Sequence, residues 1–331
     1  MSGERPCRGE FELIADLFAP LSRNAPGALG LIDDAALLDI SPGCQLVATT
    51  DTLIAGVHFR HDDLPDLVAR KALRVNLSDL AAKGARPIGF LQALSLNPSI
   101  DDAYLQRYAA GLAADVDRFG AALLGGDTTS GPGPLSITIT AFGEVENGKA
   151  LLRSTARRGD VVCVTGTIGD AALGLACLDA ALNLPAPLAE DLSSRYRLPE
   201  PRLTTGRALL NLASACLDIS DGLVGDLGHL CKASGLAATI ERDSIPLSPA
   251  ARAAIAQDSR WWESIFGGGD DYELVFATAP GRVSELKKLS ADLNVALTPI
   301  GVLSGPEAGT GVTVRSGGHP IDIARPGYRH R

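Results

Sequence analysis

Segments with helical spacing and segments with strand spacing follow one another through both halves of this sequence, which predicts a two-domain protein of α/β or α+β class. Its 331 residues are long for one hydrophobic core and comfortable for two. The composition also shifts at residues 148–159, a polar stretch carrying Lys149, Arg153, Arg157 and Arg158. A junction at about residue 150 divides the chain into domains of residues 1–150 and 151–331.

In the first half, residues 9–18 put Phe11, Ile14, Leu17 and Phe18 on one helical face. Residues 45–50 read as a strand that ends in Thr49-Thr50-Asp51-Thr52. From Pro65, apolar and small residues recur at helical spacing as far as Ala82, and Gly84 closes that helix. Asn76, Asp79 and Lys83 fall on one of its faces. Residues 88–96 read as a strand, 102–119 as a helix and 121–124 as a buried strand. Residues 135–142 alternate Leu135, Ile137 and Ile139 with Ser136, Thr138 and Thr140, the pattern of a half-buried strand.

The second half opens with a strand at 160–165, a Gly166-Thr167-Ile168-Gly169 turn and an alanine-rich helix. Helices are expected at 201–213 and 221–233, and strands at 237–241, 273–278, 296–303 and 311–315. No repeat of solenoid or propeller period occurs.

The bulk numbers exclude several functions. Apolar residues make up 46% and charged ones 21%, an ordinary globular composition. A net charge of −9 without a basic stripe argues against a nucleic-acid partner. No apolar run approaches the roughly 20 residues that span a bilayer, and the polar opening lacks the apolar segment of a signal peptide. Cys7, Cys44, Cys163, Cys177, Cys216 and Cys231 are scattered without a C-x-x-C pair, which fits a reduced, cytoplasmic setting.

The chemistry lies in the aspartates. Asp33-Asp34, Asp51, Asp127, Asp218 with Asp221, and Asp270-Asp271 stand in turn-like contexts, most beside glycine, threonine or serine. Hard oxygen ligands of this kind suit magnesium, which shares phosphates with the protein. Thr49 to Thr52 is either such a site or a chain-reversing turn. Gly125-Gly126-Asp127-Thr128-Thr129 permits close backbone approach to a ligand and sets Asp127 at a strand end. Asp79, amid Leu77, Leu80, Ala81 and Ala82, needs a partner if buried: Lys83 or Arg74 on its own helix, or a metal ion.

Asp221 precedes a helix and reads as its N-cap, next to a natural phosphate seat. Gly267-Gly268-Gly269-Asp270-Asp271 is the most unusual string, because neighbouring carboxylates repel unless a cation or donors neutralise them. His58 is a packed histidine or a ligand contact, and Arg153 a phosphate clamp or a surface charge. The nucleotide-binding signatures G-x-x-x-x-G-K-[ST] and G-x-G-x-x-G after a strand are absent, as are kinase H-R-D and D-F-G.

Taken in order, Thr49-Thr50-Asp51-Thr52-Leu53-Ile54-Ala55-Gly56-Val57-His58-Phe59, Asn76-Leu77-Ser78-Asp79-Leu80-Ala81-Ala82, Gly125-Gly126-Asp127-Thr128-Thr129, Asp218-Ile219-Ser220-Asp221-Gly222-Leu223 and Asp271-Tyr272-Glu273-Leu274 resemble the motifs of the thiamine-monophosphate kinase family. The resemblance runs to the final Gly327-Tyr328. It places the chain in a larger group with aminoimidazole ribonucleotide synthetase, selenophosphate synthetase and a hydrogenase-maturation factor.

The resemblance implies a two-domain aminoimidazole ribonucleotide synthetase-like fold, whose N-terminal sheet domain forms a homodimer and whose C-terminal α/β domain completes the active-site cleft. It implies ATP-dependent phosphorylation of thiamine monophosphate to thiamine diphosphate, with several magnesium ions. Because the acceptor of that reaction is an already ionised phosphate oxygen, no catalytic side chain is expected to act as base. Asp34, Thr49, Thr50, Asp51, Asp79, Asp127, Asp218 and Asp221 would hold the metal. Gly126, Asp127, Arg153 and Ser220 would contact ATP, and His58, Asp270 and Tyr328 the thiamine side. The chain departs from the family at Ile32, where a glycine is usual, and at Asp270, where a glutamate is usual. Two other readings are a sister ATP-dependent activity of the same group and a non-catalytic nucleotide- or thiamine-binding regulator.

Overall fold

The computed structural model describes residues 10–305, 307 and 311–328. The chain forms two compact units. Of the described residues, those through Leu80 together with Arg86–Asn147 form one, and Ala81–Ala85 together with those from Gly148 onward form the other.

The first unit begins with α1 (Glu10–Leu13), which widens into a π-helical stretch at Ile14–Phe18. There follow β1 (Cys44–Ile54), α2 (Pro65–Ala82), β2 (Arg86–Leu96), α3 (Asp102–Phe119), β3 (Ala122–Ser130) and β4 (Ser136–Glu146). The four strands lie in the order β1-β4-β2-β3. β2 and β3 run parallel because α3 carries the chain back between them, while the other pairs are antiparallel. Asp101 caps α3 by accepting from Tyr104 N, and left-handed Gly120 ends it.

Side-chain alternation divides the sheet into two faces. Phe90, Gln92, Leu94, Ile137 and Ile139 are buried on one of them, where Tyr108 of α3 donates its hydroxyl to Gln92 Oε1 at 2.7 Å. Arg74 and Arg70 of α2 converge on Asp115 of α3, which is fully buried, at 2.6 and 3.1 Å. This ion triad ties the two helices together. Leu91, Ala93, Thr50, Thr52, Thr138 and Thr140 are on the opposite face, where threonine hydroxyls pair across β1 and β4.

β1 and β3 run longer than expected. The Thr49–Thr52 cluster lies inside β1, paired with residues 138–141, and Asp127 lies inside β3 opposite Ala93, not at a strand end. Threonine is a good strand former, so the ladder continues through clusters that read as turns.

The second unit contains β5 (Val161–Thr165), α4 (Asp170–Leu178), α5 (Ala186–Arg197), α6 (Leu203–Leu209), β6 (Ala213–Asp218), α7 (Leu223–Ser234), β7 (Ala237–Glu241), α8 (Pro249–Gln257), α9 (Trp262–Gly267), β8 (Leu274–Thr278), α10 (Val283–Leu293), β9 (Leu297–Ser304), β10 (Gly311–Ser316) and β11 (His319–Ile321). Among the described residues its strands form one sheet in the order β11-β10-β7-β9-β5-β8-β6. The helix expected at 201–213 is only the short α6, and β6 follows it. Ala-Ser-Ala-Cys-Leu-Asp is a short buried run whose periodicity does not separate helix from strand, and pairing with β8 decides it. Val162, Val164, Leu173, Leu217, Leu227 and Val275 are among the residues that build this unit's core. No described helix is long and apolar enough to cross a membrane.

Glu273, just before β8, is fully buried. It accepts from Arg195 at 2.6 Å, from Arg202 through both carboxylate oxygens at 2.5 and 2.7 Å, and from Thr165 Oγ1 at 2.5 Å. The arginines hold its pKa below the ordinary value against the opposing effect of burial. Removing one partner of a buried ion pair strands the other charges, so Glu273→Ala is expected to lose about 3 kcal/mol of stability in urea unfolding.

Candidate active site

Each unit carries its own share of the expected site residues. In the first, β1 is an edge strand whose Thr49, Asp51 and Leu53 face the helix side. The Thr49 hydroxyl donates to Asp79 of α2 in a short hydrogen bond. The Asp51 N–H donates to Asn76 Oδ1 at 3.0 Å. Thr49, Asp51, Asn76 and Asp79 are thus drawn together by two bonds between strand and helix. The donor found at Asp79 is Thr49, whereas Arg74, one of its expected partners, forks onto Asp115.

Thr50 and Asp127 are on the other face of the sheet. A Cβ at Gly126 would come within 1.9 Å of the Gln92 carbonyl, so the close approach that demands glycine there is made by β2. Arg86 pairs with Glu144 of β4 at 2.5 Å. Ser41 N–H and Arg86 are the leading causes that lower the Glu144 pKa to about 2.

His58 closes the turn after β1: its Nδ1 accepts from Ile54 N at 3.0 Å, which places the proton of a neutral ring on Nε2. Asp34 is exposed and donates its N–H to Asp33 Oδ1 at 2.8 Å. Ile32 takes an ordinary φ of −112°. The left-handed conformations fall on Leu29, Gly30 and Leu31, and the Ile32 side chain is 92% exposed.

In the second unit, Asp218 ends β6 and is almost wholly buried. The loop after it does not use Asp221 as the helix cap. Gly222 occupies that position without a side-chain bond, and Asp226 from the first turn of α7 reaches back instead. Its Oδ2 accepts from the N–H groups of Ser220, Asp221 and Gly222 at 3.1, 2.9 and 3.0 Å. A carboxylate one turn inside the helix satisfies the orphan donors that a cap normally serves. Burial pushes the Asp226 pKa up to about 7, opposed by those N–H bonds and by the charge of exposed Arg153.

Two segments pack on this loop. Asp270 N–H donates to the Ser220 carbonyl at 2.8 Å, and Tyr328 N–H donates to the Asp221 carbonyl at 2.9 Å. The glycine run makes room for both. A Cβ at Gly269 would meet the Ser220 carbonyl at 2.4 Å, and one at Gly267 the Arg325 carbonyl at 1.9 Å. Asp218, Ser220, Asp221, Asp270 and Tyr328 are therefore brought together by backbone bonds.

The adjacent aspartates avoid each other by facing different ways. Asp271 is buried and accepts from Gly169 N at 2.7 Å and Ala171 N at 3.3 Å, at the start of α4. Asp270 and Tyr272 on either side hold left-handed φ of 63° and 50°, a strain of about 1–3 kcal/mol each that the surrounding bonds maintain. The neutralising donors expected for this pair are thus peptide N–H groups. Sequence reading missed Asp226, Asp271 and Glu273 as anchors. The signal for Asp226 was an acid in the first helical turn, where acids are favoured.

The candidate ligands of both units are carboxylate and hydroxyl oxygens without thiolates, a donor set that suits magnesium. Among the described residues, no group of three or more His, Cys, Asp or Glu side chains is already gathered to hold an ion.

Burial is also the leading cause that raises the Asp271 pKa from 3.8 to about 8. Between those values the folded state holds the proton more tightly than the unfolded chain. The contribution of this group is thus full below about pH 4 and lost as the pH rises to about 8. Asp271→Asn should therefore lose less stability than the parent between about pH 5 and pH 8 in urea titrations.

Comparison with known proteins follows the same division. Residues 32–145 match the AIR synthase related protein N-terminal domain, and residues 157–313 match its C-terminal domain. A thiamine-monophosphate kinase of Caulobacter vibrioides is 41% identical over 97% of this chain and 90% of its own length. The crystal structure of thiamine-monophosphate kinase from Stenotrophomonas maltophilia superposes with a TM-score of 0.82 at 40% identity, covering 92% of this chain and 98% of that one. A structure of AaThiL complexed with AMPPCP and TMP superposes at 0.77 with 29% identity, over 99% of this chain and all of that one (100%).

Proposed function

The chain belongs to the AIR synthase related family and, within it, to the thiamine-monophosphate kinases, and from that premise we propose that it transfers the γ-phosphoryl group of ATP to thiamine monophosphate, yielding thiamine diphosphate and ADP. The observation that carries this reading is near-full-length similarity to enzymes of that one activity. The clustering of Asp218, Ser220, Asp221, Asp270 and Tyr328 in the second unit supports it.

The acceptor is a phosphate oxygen, already largely ionised near neutrality because its second pKa is about 6. No side chain has to remove a proton from it, and the site accordingly needs no Ser-His or Cys-His pair. The obstacle is to align two polyanions for in-line transfer, so the chain's task is positioning and charge compensation.

Arg153 and Ser220 would hold the nucleotide with Gly126 and Asp127, and His58, Asp270 and Tyr328 the thiamine moiety. Asp34, Thr49, Thr50, Asp51, Asp79, Asp127, Asp218 and Asp221 would hold magnesium, which when bound screens the repulsion between the two substrates. Asp270 is one methylene shorter than the usual glutamate, and its left-handed backbone is fixed by the bond to Ser220. A cytoplasmic setting belongs to the same proposal, and the described cysteines, all free thiols, support it. So does a homodimer formed through the sheet face of the first unit that bears Leu91, Ala93 and the paired threonines, since Leu91 is 37% exposed there.

Purified protein with ATP, magnesium and thiamine monophosphate should release ADP and thiamine diphosphate in equal amounts. Asp127→Asn should lower that rate about a hundredfold. ATP turnover with a different acceptor only would assign a sister activity, and binding of both ligands without turnover would assign a regulator. For the assembly, Leu91→Lys should convert a dimer to a monomer in light scattering, because a charge at an interface core is left without a partner.

A further inference from the structure

Asp226 is 4% exposed, and one of its oxygens meets three consecutive peptide N–H groups. The N–H of Asp221 shares a planar trans peptide with the carbonyl of Ser220, and the N–H of Gly222 shares one with the carbonyl of Asp221; no peptide bond here is cis. In a trans peptide the N–H and C=O point in opposite directions, so fixing one fixes the other. Those two carbonyls are the acceptors for Asp270 N and Tyr328 N. On one side of each peptide plane is the Asp226 carboxylate. On the other is a residue assigned to the thiamine side.

We propose that Asp226 is a positioning residue for substrate: through the 220/221 and 221/222 peptide planes it sets the placement of Asp270 and Tyr328 together. The inference rests on the reading of those two residues as thiamine contacts. The role is one of positioning and not of substrate contact: Asp226 is buried and its Oδ2 is committed to the loop backbone. Its Oδ2 anchors residues 220–222, onto which Asp270 and Tyr328 bond from segments far apart in sequence. The Ile219 bonds to Tyr272 and Glu273 hold the neighbouring part of the loop independently of it.

Two variants and two readouts test this. Asp226→Leu keeps bulk and removes the acceptor, whereas Asp226→Asn keeps an oxygen that can accept the same N–H groups. Hydrogen exchange of the unliganded protein, read on peptides covering residues 268–272 and 325–328, should speed up in Asp226→Leu in both segments while the β5 and β8 amides keep their protection. In Asp226→Asn both segments should stay protected. In turnover, Asp226→Leu should raise the KM for thiamine monophosphate about tenfold or more with a smaller change in kcat, and Asp226→Asn should restore it.

Unchanged exchange at both segments in Asp226→Leu, or an Asp226→Asn protein as impaired as Asp226→Leu, would overturn the proposal. If Asp226→Leu does not fold, Asp226→Ala carries the same comparison. A parent protein that makes no thiamine diphosphate would overturn the kinase reading instead, and the exchange result would still decide whether Asp226 controls the two segments.

Discussion

A carboxylate taken out of water must find donors, and in the second unit that constraint organises the whole site. Asp226, Asp271 and Glu273 are nearly or fully buried. Each is satisfied by groups distant in sequence: Asp226 by the loop after β6, Asp271 by the start of α4, and Glu273 by Arg195, Arg202 and Thr165. The alternative to these bonds is a buried polar group without a partner, and for Glu273 an unpaired buried charge, so loss of any of them is costly. Glu273 anchors the start of β8, Asp271 turns the preceding loop inward, and Asp270 is left at the surface of the assembled loops with its backbone held.

In the first unit the constraint is a different one, the hydrogen-bonded register between an edge strand and a helix. Period-two alternation sends Thr49 and Asp51 toward α2 and Thr50 toward the opposite face. Bonds from Thr49 to Asp79 and from Asp51 to Asn76 then lock strand against helix. Asn76 and Asp79 share a face because three helical residues separate them, and the strand matches that spacing with two. The Arg70–Arg74–Asp115 triad ties α2 in turn to α3.

The two arrangements suit a transfer between phosphates. Such chemistry needs alignment and compensation of charge more than proton abstraction. A chain with a net charge of −9 has no broad positive field with which to attract polyanions. Charge compensation for polyanions therefore has to be local rather than a property of the whole surface.

Much of this was legible in the sequence. α2 from Pro65 to Ala82 and α3 from Asp102 to Phe119 follow from apolar spacing and from the glycines that end them. The residue strings around Asp51, Asp79, Asp127, Asp218 and Asp271 were enough to reveal the family, because side-chain chemistry at short range is written directly in the chain. What the sequence did not determine depends on pairing and burial. That Asp127 and the Thr49–Thr52 cluster lie within strands, that residues 213–218 form a strand, and that Asp226 rather than Asp221 organises the α7 entrance are outcomes of contacts between distant segments. Local propensity leans toward some of these outcomes, as threonine does toward a strand, but does not decide them. Only the tertiary structure decided which carboxylates lost their water, and therefore which had to be satisfied by donors from distant segments.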